Sequence, residues 1–181
     1  TGEKATLVAI GPLRNFARLL LWPPDDLSPL SGQELVLEKA EEAVVMGGSF
    51  DLDYWRTQPV ELCEAEYNIR MDIAGAQDFV RLCPVPVVFT DYYLGEPIRT
   101  GGRLVKQGDM QNPLTFAYTV YCGGARQSWD LTAVLYAVRG ARDYWTLSEP
   151  GHVSVENDGR TIFTPAADGL HRRLKPRMAP E

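Results

Sequence analysis

The chain has 181 residues, a formal net charge of −6, and ordinary shares of apolar (45%) and charged (23%) residues. This length suits a single domain with its own core. The negative net charge argues against a nucleic-acid backbone or an acidic membrane surface as the partner. The longest apolar runs are far too short to span a bilayer. We therefore expect a soluble protein that binds neither nucleic acid nor membrane.

The three cysteines, Cys63, Cys83 and Cys122, are widely spaced and form no C-x-x-C pair. This spacing excludes a zinc knuckle and a thioredoxin-type site. Cys83 and Cys122 fall on apolar faces, so we expect both to be buried as small hydrophobic residues. Such cysteines slightly favour a reducing, cytoplasmic compartment over a secreted one, but they leave the localisation unknown.

The first part of the chain alternates apolar strands with amphipathic helices. A strand is predicted at residues 5–10, and a helix that starts at Pro12 should follow it. The pattern Ser31-Gly-Gln-Glu34 is typical of a capping box that opens a second helix. A second buried strand is predicted at residues 43–46. The chain opens without an initiator Met and reaches an apolar strand within a few residues, which suggests that earlier residues were removed or lie elsewhere.

The middle of the chain continues this alternation. Asp72 is positioned to cap a helix that ends before Pro84, and a third strand follows at residues 85–90. Another helix should begin at Asn112–Pro113. A further helix is marked by four apolar residues at helical spacing: Leu131, Val134, Leu135 and Val138.

The last part of the chain has a different pattern. Short strands are predicted at residues 144–147, 153–155 and 161–163, with a turn at residues 157–159. The basic cluster near the end is interpreted as a solvated tail; it consists of Arg172, Arg173, Lys175 and Arg177. The predicted fold is α/β, with a mostly parallel Rossmann-like sheet, flanking helices and a small antiparallel appendage near the C-terminus.

Polar groups follow several of these strands and open one of the helices, where open α/β sheets bind ligands. Gly11–Pro12 follows the first strand, and the Glu66-x-Asn68 pattern lies downstream of the second. Trp129 and Asp130 open the last helix. Taken singly, each has an ordinary explanation. Gly-Pro is a common turn, Glu66 and Asn68 would suit a solvated loop, Asp130 a helix N-cap, and Trp129 a packed aromatic.

The order and spacing of the four stretches together are more specific. LVAIGPLRN (7–15), VVMGGSF (44–50), AEYNIRMDIAGA (65–76) and SWDLTAVLYAVRG (128–140) resemble the inosine–uridine-preferring nucleoside hydrolases, which depend on calcium. In that family an N-terminal D-x-D-x-x-x-D-D loop binds Ca²⁺ and supplies the general base, and no such motif occurs here. The resemblance therefore implies that residues 1–181 are the C-terminal part of a single nucleoside hydrolase-like domain. Its N-terminal half would be missing, and would lie in the same gene or on a separate chain.

The resemblance also assigns roles to individual residues. The backbone carbonyl of Ile10 and the carboxylate of Asp130 would bind Ca²⁺, which prefers hard oxygen ligands. Glu66 and Asn68 would hydrogen-bond the ribose hydroxyls. A further ribose-binding Asn of the family has no counterpart in residues 50–64.

Trp129 stands where many members of the family have a His that protonates the departing base. An indole N–H cannot act as an acid near neutral pH, and neither His152 nor His171 lies near a matched motif. A Trp at this position resembles the purine-specific branch, in which the leaving base is stacked between aromatic rings. The resemblance thus implies that Trp129 binds the base.

The expected function of the complete protein is hydrolysis of the N-glycosidic bond of purine ribonucleosides to ribose and free base, as in purine salvage. The expected substrate is a small-molecule nucleoside, the expected cofactor is Ca²⁺, and a homo-oligomer is expected. The alternative is a catalytically inactive relative that serves in binding or assembly. A generic carbohydrate-binding α/β domain is a third class, for which the sequence offers no positive evidence.

Overall fold

The computed structural model describes residues 2–50 and 65–177. Its helices, numbered in chain order, are α1 (Arg14–Leu20), α2 (Gly32–Lys39), α3 (Tyr67–Arg70), α4 (Ile73–Leu82), α5 (Tyr92–Gly95), α6 (Gly102–Gln107), α7 (Pro113–Cys122) and α8 (Trp129–Arg139). Its strands are β1 (Ala5–Ala9), β2 (Ala40–Met46), β3 (Val87–Thr90), β4 (Arg99–Thr100), β5 (Arg126–Gln127), β6 (Trp145–Leu147), β7 (Gly151–Val155), β8 (Thr161–Pro165) and β9 (His171–Pro176).

One seven-stranded sheet organises the described residues. Its strand order is β1-β2-β3-β9-β7-β8, with β6 paired to β9 as well. The pairs β1–β2, β2–β3 and β3–β9 are parallel. The pairs β7–β8, β7–β9 and β6–β9 are antiparallel. The predicted α/β fold with a mostly parallel central sheet is confirmed, and the antiparallel strands belong to the same sheet rather than standing apart from it.

The central strands bury both of their faces, as their continuous apolar sequences predict. Val45 and Phe89 pack on one face in a core that also contains Phe79 of α4. Val44 and Val88 point to the other face, where Tyr136 of α8 and further apolar residues cover them. The sheet is therefore sandwiched between helices.

Local signals place several helix ends correctly. The capping box of α2 is present, because the backbone N–H of Ser31 donates to the Glu34 carboxylate at 2.7 Å while Ser31 Oγ accepts from the Glu34 N–H at 3.4 Å. Asn112 caps α7 as predicted. α1 begins at Arg14 rather than at Pro12. Asp72 precedes α4, and its carboxylate binds the Arg14 guanidinium at 2.8 and 3.1 Å.

The basic cluster near the C-terminus is not a solvated tail, and that prediction is wrong. Most of it forms β9, which lies between β3 and β7 in the sheet. The strand accommodates Arg173 because its guanidinium pairs with the carboxylate of Asp91 at 3.1 Å and lies 4.7 Å from the ring of Phe50. Burial raises the pKa of Asp91, and Arg173 opposes that effect.

The cysteines follow the prediction only in part. Cys83 is buried beside α4, as expected, but Cys122 at the end of α7 is partly exposed. The expectation for Cys122 failed because α7 packs loosely against the rest of the described fold and leaves most of its apolar side chains in contact with solvent. Cys63 lies outside the described residues.

Helix α8 exposes the apolar stripe whose helical spacing predicted it. Thr132, Ala133 and Tyr136 face the sheet, whereas Val138 is 75% exposed. The other members of the stripe are also exposed: Leu131, Val134 and Leu135. Within residues 2–50 and 65–177, β1 at the sheet edge pairs only with β2. An apolar helix face and an open strand edge therefore lack a partner in the described part of the chain, which also contains no helix long and apolar enough to cross a membrane.

We predict that the 181-residue chain produced by itself aggregates or requires a partner chain, because the stripe and the open β1 edge expose apolar surface and unpaired backbone groups. Light scattering coupled to size exclusion would measure this. Replacing Leu131 and Val138 by Lys should increase the monomeric fraction. The control Leu27→Lys changes a residue that is 94% exposed and lies in a loop, and it should have no such effect. A monomeric wild-type chain with a sharp thermal transition would contradict the prediction.

A second prediction concerns the buried ion pair. Arg173→Met leaves the Asp91 carboxylate buried without its cation, which should lower the free energy of unfolding by about 3–5 kcal/mol. Lys175→Met alters an exposed residue of the same strand and should change it by no more than about 0.5 kcal/mol. Urea unfolding monitored by circular dichroism measures both. Equal changes in the free energy of unfolding for the two substitutions would show that the ion pair does not stabilise the fold.

Candidate functional site

A cavity of about 790 Å³ lies at the carboxyl ends of the parallel strands. Four separate segments line it: the turn after β1, the end of β2 with α3, the start of α5, and the region from the end of α7 to the start of α8. The side chains or backbone of all five predicted site residues contribute to its wall: Ile10, Glu66, Asn68, Trp129 and Asp130. They meet because β1, β2 and β3 run in the same direction and end at one edge of the sheet.

Glu66 is buried and caps helix α3. Its Oε2 accepts hydrogen bonds from the backbone N–H groups of Gly48, Asn68 and Ile69 at 3.2, 3.0 and 3.3 Å. Burial raises the pKa of Glu66, while these backbone hydrogen bonds oppose the rise and the nearby carboxylate of Asp130 adds to it. Oε1 accepts only the shared Asn68 N–H, at 3.0 Å, among the described residues. Oε1 is therefore the oxygen with spare capacity for a ligand hydroxyl.

Asn68 is held just as firmly. Its Nδ2 donates to the carbonyl oxygen of Met46 at 3.1 Å, at the end of β2. That bond orients the amide so that Oδ1 remains an acceptor, and no described residue donates to it. Glu66 and Asn68 are both buried, so neither belongs to the solvated loop that would have been their ordinary explanation.

Asp130 lies in the first turn of α8 and is exposed. It is not the N-cap, since that position belongs to Ser128. Partial burial raises the pKa of the Asp130 carboxyl, and the positive charge of Arg126 opposes the rise. Ile10 follows β1 and is 47% exposed. Both residues line the cavity.

The described residues contain donors of the right chemistry for Ca²⁺, but too few of them. Ca²⁺ takes six to eight oxygen ligands. The Asp130 carboxylate and the Ile10 carbonyl are suitable hard donors, while the Oε2 of Glu66 is already saturated by N–H groups. Over residues 2–50 and 65–177, no group of three or more His, Cys, Asp or Glu side chains could hold a metal ion. A complete calcium shell would therefore need ligands from outside this part of the chain.

Trp129 lines the cavity with a ring whose orientation is fixed by its neighbours. Its Nε1–H donates to the carbonyl oxygen of Tyr92 at 3.0 Å, and the rings of these residues lie 5.4 Å apart at an angle of 30°. Gly95 packs so closely that a Cβ at its position would overlap the backbone of Trp129. The indole is therefore held in place before any ligand arrives.

The histidines lie elsewhere, as the sequence suggested. His171 is buried in β9, and its Nδ1 accepts the Val153 N–H at 2.8 Å. Burial and the proximity of His152 lower the pKa of His171 to about 4. Neither His152 nor His171 lines the cavity.

Sequence reasoning missed several residues of the cavity wall: Arg70, Tyr92, Tyr121 and Arg126. Tyr92 was predictable from its position two residues after the end of β3. The loops that follow parallel strands meet at one edge of the sheet, as those after β1 and β2 do. Arg126 lies three residues before Trp129, on a strand of two residues that has no recognisable pattern. The absence of a counterpart to the family's second ribose Asn concerned residues 50–64, nearly all of which fall outside the described residues.

No protein-family model and no curated protein sequence matches this chain. Its fold does match solved structures. A plant nucleoside hydrolase superposes with a TM-score of 0.68 and 20% identity, over 95% of this chain and 57% of that one. An inosine–uridine-preferring nucleoside hydrolase from Bacillus anthracis gives a TM-score of 0.65 and 18% identity, over 97% of this chain and 56% of that one. The chain spans little more than half the length of these neighbours.

At 18–20% sequence identity, the comparison shows a shared fold and no more. The match extends along nearly the whole of this chain. The chain therefore has the fold of the nucleoside hydrolases over the part of those proteins that it matches.

Proposed function

We propose that the protein hydrolyses the N-glycosidic bond of purine ribonucleosides, and that this chain supplies part of the ribose, calcium and base sites. The observation that carries the proposal is the meeting of five residues, predicted from three distant stretches of sequence, in the wall of one cavity. A resemblance by chance between short motifs would not bring their key residues together. The nucleoside hydrolase fold adds independent support.

The ribose would lie against the buried polar wall of the cavity. Oε1 of Glu66 and Oδ1 of Asn68 are acceptors without a full set of donors, so both can accept hydrogen bonds from ribose hydroxyls. Their positions are set by hydrogen bonds to Gly48 and Met46 before the substrate binds. Such preorganisation reduces the ordering cost of binding.

Asp130 and the Ile10 carbonyl would hold Ca²⁺ together with ligands from the remaining polypeptide. Calcium, when bound, would lower the pKa of a water molecule and orient ribose hydroxyls. The base would lie near Trp129, whose ring is fixed by Tyr92. We further propose that the rest of the domain, and with it the general base, comes from polypeptide equivalent to the N-terminal part of the neighbours, and that the assembled protein is a homo-oligomer.

A second candidate is a catalytically inactive relative that retains the fold for binding or assembly. One observation favours it: Glu66 has a structural use as the cap of α3, so its presence alone does not require a substrate. Asp130 weighs against it, because this exposed carboxylate neither caps α8 nor forms a salt bridge with any described residue.

Calcium binding separates these candidates. Asp130→Ala in the full gene product should weaken Ca²⁺ binding by at least the roughly 10- to 100-fold that loss of a metal's outer-shell partner costs, and it should suppress release of ribose from inosine. Ile10→Val should change neither quantity, because the proposed ligand is a backbone carbonyl. Titration calorimetry and a reducing-sugar assay measure the two effects. Equal Ca²⁺ affinity with and without Asp130 would remove it from the metal shell, and a wild-type protein that binds calcium but releases no ribose would favour the inactive relative.

Trp129 should determine the preference for the base. Stacking on a base is worth roughly 1–3 kcal/mol, so Trp129→Ala should lower kcat for inosine by about 5- to 150-fold and affect uridine less. Trp129→His installs an acid and should partly restore activity on several bases. Steady-state kinetics with inosine and uridine test this. If every substrate declined equally and the melting temperature fell, Trp129 would act only through its packing on Tyr92 and Gly95.

A further inference from the structure

Arg126 occupies the part of the cavity next to Trp129. Its guanidinium carbon lies 5.4 Å from the centre of the Trp129 ring and 5.3 Å from the centre of the Tyr121 ring. The residue belongs to the short strand β5, which pairs with β4. Two aromatic side chains and a short sheet thus position one cation beside the surface where the base is proposed to bind.

The hydrogen-bonding capacity of this guanidinium is unused within the described residues. Contacts to aromatic rings involve the face of the group and leave its N–H donors available at the edge. No salt bridge or side-chain hydrogen bond involves Arg126 among residues 2–50 and 65–177. The positive charge of Arg126 opposes the rise in the pKa of the Asp130 carboxyl, but no salt bridge joins these two residues. An ordered, partly buried guanidinium with free donors is suited to a planar ligand that presents two adjacent acceptors.

We propose that Arg126 is a specificity-determining residue that donates two hydrogen bonds to the O6 and N7 atoms of a 6-oxopurine, hypoxanthine or guanine, placed beside Trp129. The inference rests on the proposed function and names its substrate class. O6 and N7 are adjacent acceptors, and a bidentate contact with an arginine is a common way to recognise them. Adenine carries a donor, the N6 amino group, in place of O6. Uracil has no such pair, since its N3–H donor separates its two carbonyl oxygens.

The same contact would assist departure of the base. When the C1′–N9 bond breaks, its electron pair moves onto the base and spreads to N7 and O6, while the oxygen of a water molecule forms a bond to C1′. A guanidinium is not deprotonated in proteins, so Arg126 transfers no proton to the base. The guanidinium therefore stabilises negative charge on the leaving base, and the base takes its proton from solvent. The water molecule loses one proton, so the reaction consumes one nucleoside and one water and yields ribose and free base.

The test compares four substrates in the full gene product: inosine, adenosine, uridine and p-nitrophenyl β-D-riboside. The last carries a leaving group that needs no purine contact, so it reports cleavage of the glycosidic bond alone. Arg126→Met should lower kcat/KM for inosine by about 5- to 150-fold, the discrimination expected of one bidentate base contact, and leave the other three substrates within about threefold of wild type. Arg126→Lys should restore only part of the inosine activity, because an ammonium cannot bind both atoms in the same geometry. The control Arg103→Met alters an exposed arginine of α6 outside the cavity wall and should change nothing.

Binding of the free bases gives a second readout that does not depend on turnover. Titration calorimetry should show hypoxanthine bound more tightly than adenine by wild type and about equally by Arg126→Met. If Arg126→Met lost activity equally on all substrates and had a lower melting temperature, the inference would be overturned and Arg126 would be a packing residue. Equal kcat/KM of wild type for inosine and adenosine would also overturn the inference. Failure of wild type to release ribose from any of the four substrates would contradict the proposed function. In that case, hypoxanthine binding that depends on Arg126 would still support the base contact, and its absence would overturn both.

Discussion

The buried carboxylate of Glu66 determines how the candidate site is built. A carboxylate in a desolvated position is costly unless donors surround it, and here three backbone N–H groups from two parts of the chain converge on Oε2. Gly48 comes from the turn after β2, and it adopts a positive φ of 84° that favours glycine. The other two donors belong to α3. The need to compensate one charge therefore fixes the end of a strand against the start of a helix, and Asn68 is positioned by the same arrangement.

The edge of the parallel sheet explains why distant residues cooperate. Ile10 and Asp130 are separated by most of the chain, yet one follows β1 and the other opens a helix that packs on β1, β2 and β3. A parallel arrangement places the loops after successive strands side by side, so each addition to the sheet brings another loop to the same edge. The aromatic side of the cavity is positioned in the same way. Tyr92 lies just beyond the end of β3, and its carbonyl oxygen accepts the indole N–H of Trp129.

The sequence predicted an element correctly where the contacts that form it lie within a few residues along the chain. The apolar strand around Val44 and Val45, the capping box at Ser31 and the cap at Asn112 depend on neighbours within a few residues, and all were predicted correctly. β9 was missed because its polar side chains have partners far along the chain: Arg173 pairs with Asp91, and Nδ1 of His171 accepts the backbone N–H of Val153. No local pattern contains that information.

The candidate site shows the same division. The motif residues could be identified from their order, while Arg126 could not, because its place in the cavity depends on two rings that the fold brings together. The stripe on α8 predicted the helix correctly, although that stripe is exposed among the described residues. The side that packs on the sheet carries Thr132, Ala133 and Tyr136 instead.

The position of β9 has a consequence for how the chain acquires its structure during synthesis. Val87 of β3 pairs with His171 of β9, so the middle of the sheet forms only after most of the described residues have left the ribosome. Until then β3 has one unpaired edge, and Asp91 has no arginine beside it. Contacts of such high sequence separation slow folding and prolong the exposure of apolar strands. The nascent chain would therefore pass through a long interval in which β1, β2 and β3 form an incomplete sheet, the state in which a chaperone or an assembling partner would have the most surface to bind.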